Sequence, residues 1–189
     1  PLSNYLLTNP KLTIVKNKIS SYIEMNDLNT SSMGIKGVVK RPFIGGAKFQ
    51  NYDTLLARIT PCLENGKTAF VDVLEVNEIA GGSTEFIVMR AKKDVSPYWV
   101  YCLARDEKFR EFAISSMVGS SGRQRVHESY LKEFLLKEID FEIMRKFDRV
   151  MKPVFEMIKL RYKENFQLDL IKQLLFAKMT KVEIEKEFA

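Results

Sequence analysis

LARITPCLENGKTAFV, Leu56 to Val71, is the stretch whose reading decides the fold. Its front half has the patterning of a strand. Leu55, Ala57 and Ile59 fall on one face, Leu56 and Arg58 on the other. Pro61 and then Asn65-Gly66 mark a turn, and a second apolar run follows from Thr68 to Val76. Between the two runs stand Arg58, Glu64, Asn65 and Lys67, more chemistry than a plain hairpin needs.

Outward from this stretch, Ile35 to Val39, Thr54 to Ile59, Thr68 to Val76 and Glu85 to Arg90 are candidate strands. The last, EFIVMR, is apolar on both faces at Phe86, Ile87, Val88 and Met89, which marks a central strand. Gly45-Gly46 and Gly81-Gly82 read as turns. A helix is expected from Ser96, a good N-cap followed by Pro97 at the first helical position. Tyr98, Cys102, Phe109, Phe112 and Ala113 recur at helical spacing, and Gly119 supplies a stop. Ser115 to Gly122, dominated by serine and glycine, is expected to be a loop.

From about Ile143 the pattern changes. No glycine occurs between Ile143 and Glu185. Met144, Phe147, Met151, Val154, Ile158, Leu168, Leu175, Met179 and Val182 follow a near-heptad, with Arg161, Asn165 and Lys172 as polar interruptions of the seam. Pro153 is expected to kink or restart the helix. Roughly 40 helical residues make a rod of about 60 Å, which needs a partner helix to cover its seam. The expected fold class is therefore α+β: a mixed, β-rich domain over residues 1–142, then a long C-terminal helix over 143–189 forming a coiled-coil-like rod. The expected dimerisation residues are Met151, Val154, Ile158, Leu168, Leu175 and Met179.

With 189 residues, 46% hydrophobic and 29% charged, the chain has room for one good domain and an appendage and is not disordered as a whole. A net charge of +6 permits a polyanionic partner without requiring one. No apolar run reaches the roughly 18 residues of a membrane span. The start, PLSNYLLTNPKL, lacks the features of a signal peptide, and the absence of an initial Met fits a processed or trimmed chain. Cys62 and Cys102 are far apart and are expected to be reduced, partly buried thiols in a cytoplasmic protein. With one histidine, His127, they fall short of a four-ligand zinc site.

Basic residues gather between Gly34 and Thr68: Lys36, Lys40, Arg41, Lys48, Arg58 and Lys67, against Asp53 and Glu64. Such a set suits phosphate contacts, although on charge alone an ordinary solvated basic face is the favoured reading. Lys48, after Gly45-Gly46, is expected near a loop tip. A second candidate is GSSGRQRV, Gly119 to Val126. Arginine can pair with guanine through two hydrogen bonds and glutamine with adenine, while arginines that bind internal carboxylates are the alternative. Catalysis finds little support. His127 has no neighbouring nucleophile motif, and there is no phosphate-binding P-loop, GxGxxG or methyltransferase tetrapeptide. Asn9-Pro10 is a lone dipeptide, Asp53 and Glu64 are structural rather than a metal-binding pair, and no cofactor is expected.

Four blocks resemble one family. GGAKFQNYDTLLARITPCLENGKTAFV (Gly45–Val71), GGSTEFIVMR (Gly81–Arg90), GSSGRQRV (Gly119–Val126) and QLDLIKQLLFAKM (Gln167–Met179) are similar, in order and spacing, to segments of type I restriction-modification specificity subunits. The last block departs from the family's LRDLLLPKL at Ile171-Lys172 and Phe176-Ala177. The resemblance implies a target recognition domain that reads one half of a split DNA sequence, followed by the helix that spaces it from a second domain. It implies half of a specificity subunit, pairing through the helix as a homodimer or with a second half. It also implies no chemistry of its own: modification and restriction subunits would methylate and cleave double-stranded DNA. On this reading Arg123, Gln124, Arg125 and Ser121 are the candidates for direct DNA contact, and Lys48, Arg41 and Lys40 position the backbone. Arg58 is expected either to join them or to pair with Glu64. A protein-binding adaptor acting through the rod is the alternative, and a free-standing enzyme is the weakest reading.

Overall fold

The computed structural model describes residues 1–187, with side chains described as far as Thr180. The chain divides into two units, Pro1–Lys152 and Pro153–Ala189.

The first unit is built on two four-stranded sheets. Its strands are β1 (Leu6–Thr8), β2 (Ile19–Ile23), β3 (Val39–Pro42), β4 (Ala47–Phe49), β5 (Thr54–Ala57), β6 (Thr68–Phe70), β7 (Ala80–Gly82) and β8 (Phe86–Ala91). Sheet 1 has the order β1-β8-β5-β6 and is antiparallel throughout. Sheet 2 has the order β3-β2-β7-β4, with β2 and β7 parallel. The helices are α1 (Pro97–Arg105), α2 (Glu107–Ser115) and α3 (Glu128–Glu133), followed by α4 (Phe141–Glu187), whose opening turns belong to this unit.

Sheet 1 is buried on both faces, and the sequence of β8 explains how. Ile87 and Met89 join Leu56, Leu63, Val100, Phe109 and Leu131 in a core beneath the helices. Phe86 and Val88 point the other way, into a second core with Leu55, Ile23, Phe49, Ala69 and Val71, between the sheets. Strand alternation sends successive residues to opposite faces, so a strand apolar at every position must be covered twice. The central position expected for this strand is the one observed.

Several expectations change. The first candidate strand lies later than expected: Ile35 makes only an isolated bridge with Leu28, and pairing begins at Val39. The run after the turn pairs only over Thr68–Phe70. Gly81-Gly82 is no turn but the last two residues of β7. A Cβ on Gly81 would lie 2.7 Å from the Phe43 ring and one on Gly82 2.6 Å from the Phe49 ring, so aromatic packing demands glycine there. Lys48 sits within β4, not at a loop tip. The helix begun by Ser96 and Pro97 breaks at Asp106, whose carboxylate caps α2 by accepting from the Phe109 N–H at 3.0 Å. The helical period continues across this break, and that hid it. α4 starts at Phe141 and runs through Pro153 as one helix, with no restart.

Candidate nucleic-acid interface

Three of the four sequence blocks meet in the first unit. Arg58 follows β5, Glu85 precedes β8, and Arg125 lies in the Gly119–Val126 loop. Arg58 N–H donates to the Glu85 carbonyl at 3.0 Å, and Val126 N–H donates to the Arg58 carbonyl at 2.9 Å. Thr60 and Gln124 exchange hydrogen bonds: Thr60 N–H to the Gln124 carbonyl, and Gln124 N–H to Thr60 Oγ1, each at 3.0 Å. The glycine-serine loop is therefore clamped along its C-terminal side to the chain around Arg58.

The Glu85 carboxylate lies at the centre. Arg125 donates to it through Nη2 at 2.8 Å and through Nε at 3.0 Å. Arg58 Nε lies 4.0 Å from the same carboxylate, is buried, and has no hydrogen-bond partner. The hydrogen bonds and negative charge of Glu85 push the Arg125 guanidinium pKa further up. The partner of Arg58 is thus Glu85 and not Glu64. Among the sequence candidates for base contact, Arg125 is engaged inside the fold. Arg123 is exposed and makes no side-chain hydrogen bond or ion pair among the described residues, and Ser121 and Gly122 beside it are exposed or open. Gln124 is half-buried, held by its backbone.

The other basic candidates lie on sheet 2. The register Val39–Tyr22–Gly81–Lys48 runs across the whole sheet, so Lys48 shares a face with Tyr22 and, two residues along β3, Arg41. Arg41 stacks 3.5 Å from the Tyr22 ring centroid and pairs with Glu24 at 3.1 Å. Lys48 Nζ lies 5.6 Å from the Phe43 ring centroid and has no carboxylate partner among the described residues. β3 and β4 are opposite edges of the sheet, about 14 Å apart at the usual strand spacing. Lys40 falls on the other face, 2.7 Å from Glu78, which also accepts from Ser21 at 2.6 Å. Burial raises the Glu78 pKa, but Lys40, Ser21 and the Glu75 N–H outweigh it and hold the carboxyl at about 2.

An open cleft of about 600 Å³ lies beside Arg58 and β4, lined by Asn9, Lys11, Thr13, Lys48, Arg58 and Thr84 among others. Lys11 was not among the sequence candidates. Its one signal was the neighbouring Asn9-Pro10, set aside as a lone dipeptide. Asn9 is in fact a staple: its backbone N–H donates to the Val88 carbonyl at 2.7 Å, and its side chain accepts from the Val88 N–H at 2.9 Å and bonds Glu128.

The residues set aside for catalysis have structural places. Asp53 is 1% exposed and gripped by Arg90 Nε and Nη2 at 2.7 and 2.6 Å, not paired with Glu64. His127 caps α3, its Nδ1 accepting from the Ser129 N–H at 3.4 Å. Cys62 and Cys102 are free and half-buried, and burial pushes the Cys102 thiol pKa up. Among the described residues, no group of three or more His, Cys, Asp or Glu is placed to hold a metal ion, and no helix is long and apolar enough to cross a membrane.

In α4, Met151 and Val154 are half-buried and Ile158 is 38% exposed, while Leu168, Leu175 and Met179 are 57%, 57% and 64% exposed. The side chain of Val182 lies outside the described residues.

No protein-family profile matches the sequence. Two curated relatives do: the specificity subunits of the Escherichia coli type I restriction enzymes EcoAI, 31% identical over 108 residues, and EcoEI, 28% identical over 142 residues. These matches cover 57% and 70% of this chain but only 18% and 23% of the relatives, so the chain corresponds to a minor part of their length. Among solved structures, a chain of a type I R-M system studied for its assembly and conformational transition matches with a TM-score of 0.56 and 16% identity. That match covers 92% of this chain and 48% of the other. The HsdS subunit from Thermoanaerobacter tengcongensis matches with a TM-score of 0.54 and 19% identity, covering 82% and 41%. The mixed sheets followed by a long helix are the fold these neighbours share, and in sequence the chain is similar to one segment of the EcoAI and EcoEI type I specificity subunits.

Proposed function

We propose that this chain reads one half-site of a split double-stranded DNA sequence for a type I restriction-modification enzyme. Residues 1–142 are the recognition part, and residues 143–189 space and pair it. Methylation and cleavage fall to modification and restriction subunits that the chain binds in the cytoplasm, and the chain itself is not catalytic. The observation that carries this reading is the Gly119–Val126 loop, fastened through Arg125 to Glu85 and through Gln124 to Thr60, with Arg123 left exposed and unpaired. A rigid base with a free, planar donor at its tip is the arrangement that direct readout of guanine needs. Arg125 supports the loop instead of reading bases. Lys48, Arg41 and Lys40 act on phosphates; Arg41 must loosen an exposed ion pair with Glu24 of little energetic value, and Lys40 must leave Glu78.

Motif selection from random duplexes, with the modification subunit present, tests the reading. Recovery of a common motif is expected. Arg123→Ala should then cost about 1–3 kcal/mol at a single base position. An unchanged affinity and motif for Arg123→Ala at fixed salt removes Arg123 as a reader. Selection that enriches nothing favours an adaptor working through the helix, whose apolar side chains from Leu168 to Met179 are exposed.

A further inference from the structure

We propose that the cleft lined by Asn9, Lys11, Thr13, Lys48, Arg58 and Thr84 seats the sugar-phosphate backbone of one DNA strand, with Lys11, Lys48 and Arg58 as its phosphate ligands. This rests on the DNA-reading function and adds a site to it. Three observations converge. First, none of the residues lining this cleft is acidic, although the chain carries 24 acidic residues. Second, its cations lack the close carboxylate that several other cations of the first unit hold. Lys40, Arg41, Arg90, Arg125 and Lys132 each hold a carboxylate within 3.4 Å. Lys11 has no partner among the described residues, and Lys48 has only the Phe43 ring. Arg58 has only the Glu85 carboxylate at 4.0 Å, which Arg125 already occupies with shorter bonds. Cations gathered in a cleft and left unneutralised repel one another, and a polyanion relieves that repulsion.

Third, the framework is stiff where a phosphate ligand must be held in place. Asn9 is stapled to β8 through both backbone and side chain, which fixes the segment carrying Lys11 and Thr13. Lys48 is paired into β4 opposite Gly81, and the backbone of Arg58 is bonded on both sides, to Glu85 and Val126. Arg58 also links the cleft to the recognition loop, since the chain that carries it into the cleft binds Val126 beside Arg125. A strand seated in the cleft would thereby set the register of the loop on the bases, a division between positioning by phosphate contacts and reading by base contacts.

The test is the salt dependence of duplex binding by the full chain. Fluorescence anisotropy would be measured with a random-sequence duplex and with the selected motif. The variants are Lys11→Gln with Lys48→Gln, and separately Arg123→Ala. The side chains of the two lysines make no hydrogen bond among the described residues, so the double variant should keep its thermal melt. Arg58→Lys, which retains charge while losing the fork, serves as a milder third variant. Loss of two phosphate contacts should flatten the slope of log K against log salt by about 1.8, equally for both duplexes, with the preferred motif unchanged. Arg123→Ala should instead alter the preference and leave most of the slope. If the double lysine variant keeps the wild-type slope while the wild-type chain still prefers its motif, the cleft assignment is wrong and the DNA reading stands. If the wild-type chain binds neither duplex at low salt, both fall together.

Discussion

Glu85 does more than any other single side chain in the candidate interface. It receives Arg125 through three short contacts and lies 4.0 Å from Arg58, so one carboxylate organises two of the sequence blocks. Charge-assisted, forked pairs of this kind fix orientation as much as they stabilise. Glu85→Gln keeps the shape but removes the charge, leaving Arg58 and Arg125 to repel. The expected result is looser closure of the Gly119–Val126 loop. By hydrogen exchange, the Val118 and Arg125 amides, each bonded to the other's carbonyl, should exchange several-fold faster than in the wild-type chain, with core amides of β5 and β8 unaffected. Unchanged exchange at Val118 and Arg125 would assign the closure to the backbone bonds alone. The sequence leaves Arg58 between DNA contact and an internal pair with Glu64, and the internal carboxylate nearest it in the fold is Glu85. Nearness along the chain made Glu64 the obvious choice, yet the turn carries Glu64 away while strand pairing brings Glu85 alongside.

Among the elements, β3 shows how an exposed edge is managed. Its four residues, Val39 to Pro42, carry two cations and a proline, which discourage edge-to-edge pairing with another chain. Glu78 ties this edge to its neighbour by accepting from Lys40 on β3 and Ser21 on β2. Because the Glu78 carboxyl sits at about 2 when folded, against an ordinary value of 4.5, its ionised form is favoured by folding. The stabilisation is present above about pH 4.5 and is lost as the pH falls toward about 2. Glu78→Gln should therefore lower the denaturation midpoint at neutral pH, and the gap from the wild-type chain should close as the solution is acidified through that window. A gap that is constant with pH would refute the pairing. β8 was legible in the sequence because its burial on both faces is written as an unbroken apolar run. β1, β2, β4 and β7 were not: β1 and β4 span three residues each, β2 (ISSYI) breaks its apolar run with two serines, and β7 is mostly glycine, chosen for the rings it must accommodate. Asp106 was legible only in retrospect, since a helix that ends and restarts within one turn preserves the hydrophobic period.

For the whole molecule, the long helix poses a question of partners. Leu168, Leu174, Leu175, Phe176 and Met179 are each more than half exposed, an apolar surface that water disfavours. The near-heptad and the polar interruptions at Arg161, Asn165 and Lys172 suit a selective helical pairing. Sedimentation of the chain at micromolar concentration is expected to give a dimer, and Leu175→Glu with Met179→Glu to give a monomer. If wild-type and variant chains sediment alike as monomers, the partner helix belongs to another protein or to a second specificity half. A homodimer would read a palindromic split site, because two identical recognition parts meet identical half-sites.

The sequence by itself determined the class of the fold, the central strand, the long helix, and the resemblance to specificity subunits. Each of these is written locally, in periodicity or in blocks of residues that keep their order. Only the tertiary structure decided which arginine is free and which is held, that Lys11 and Arg58 share a cleft with Lys48, and that Lys40 and Arg41 face opposite sides of one edge strand. Those facts depend on pairings between distant positions, such as Arg125 with Glu85 forty residues away. A single chain carries no local signal for a contact that exists only once its strands have found their neighbours.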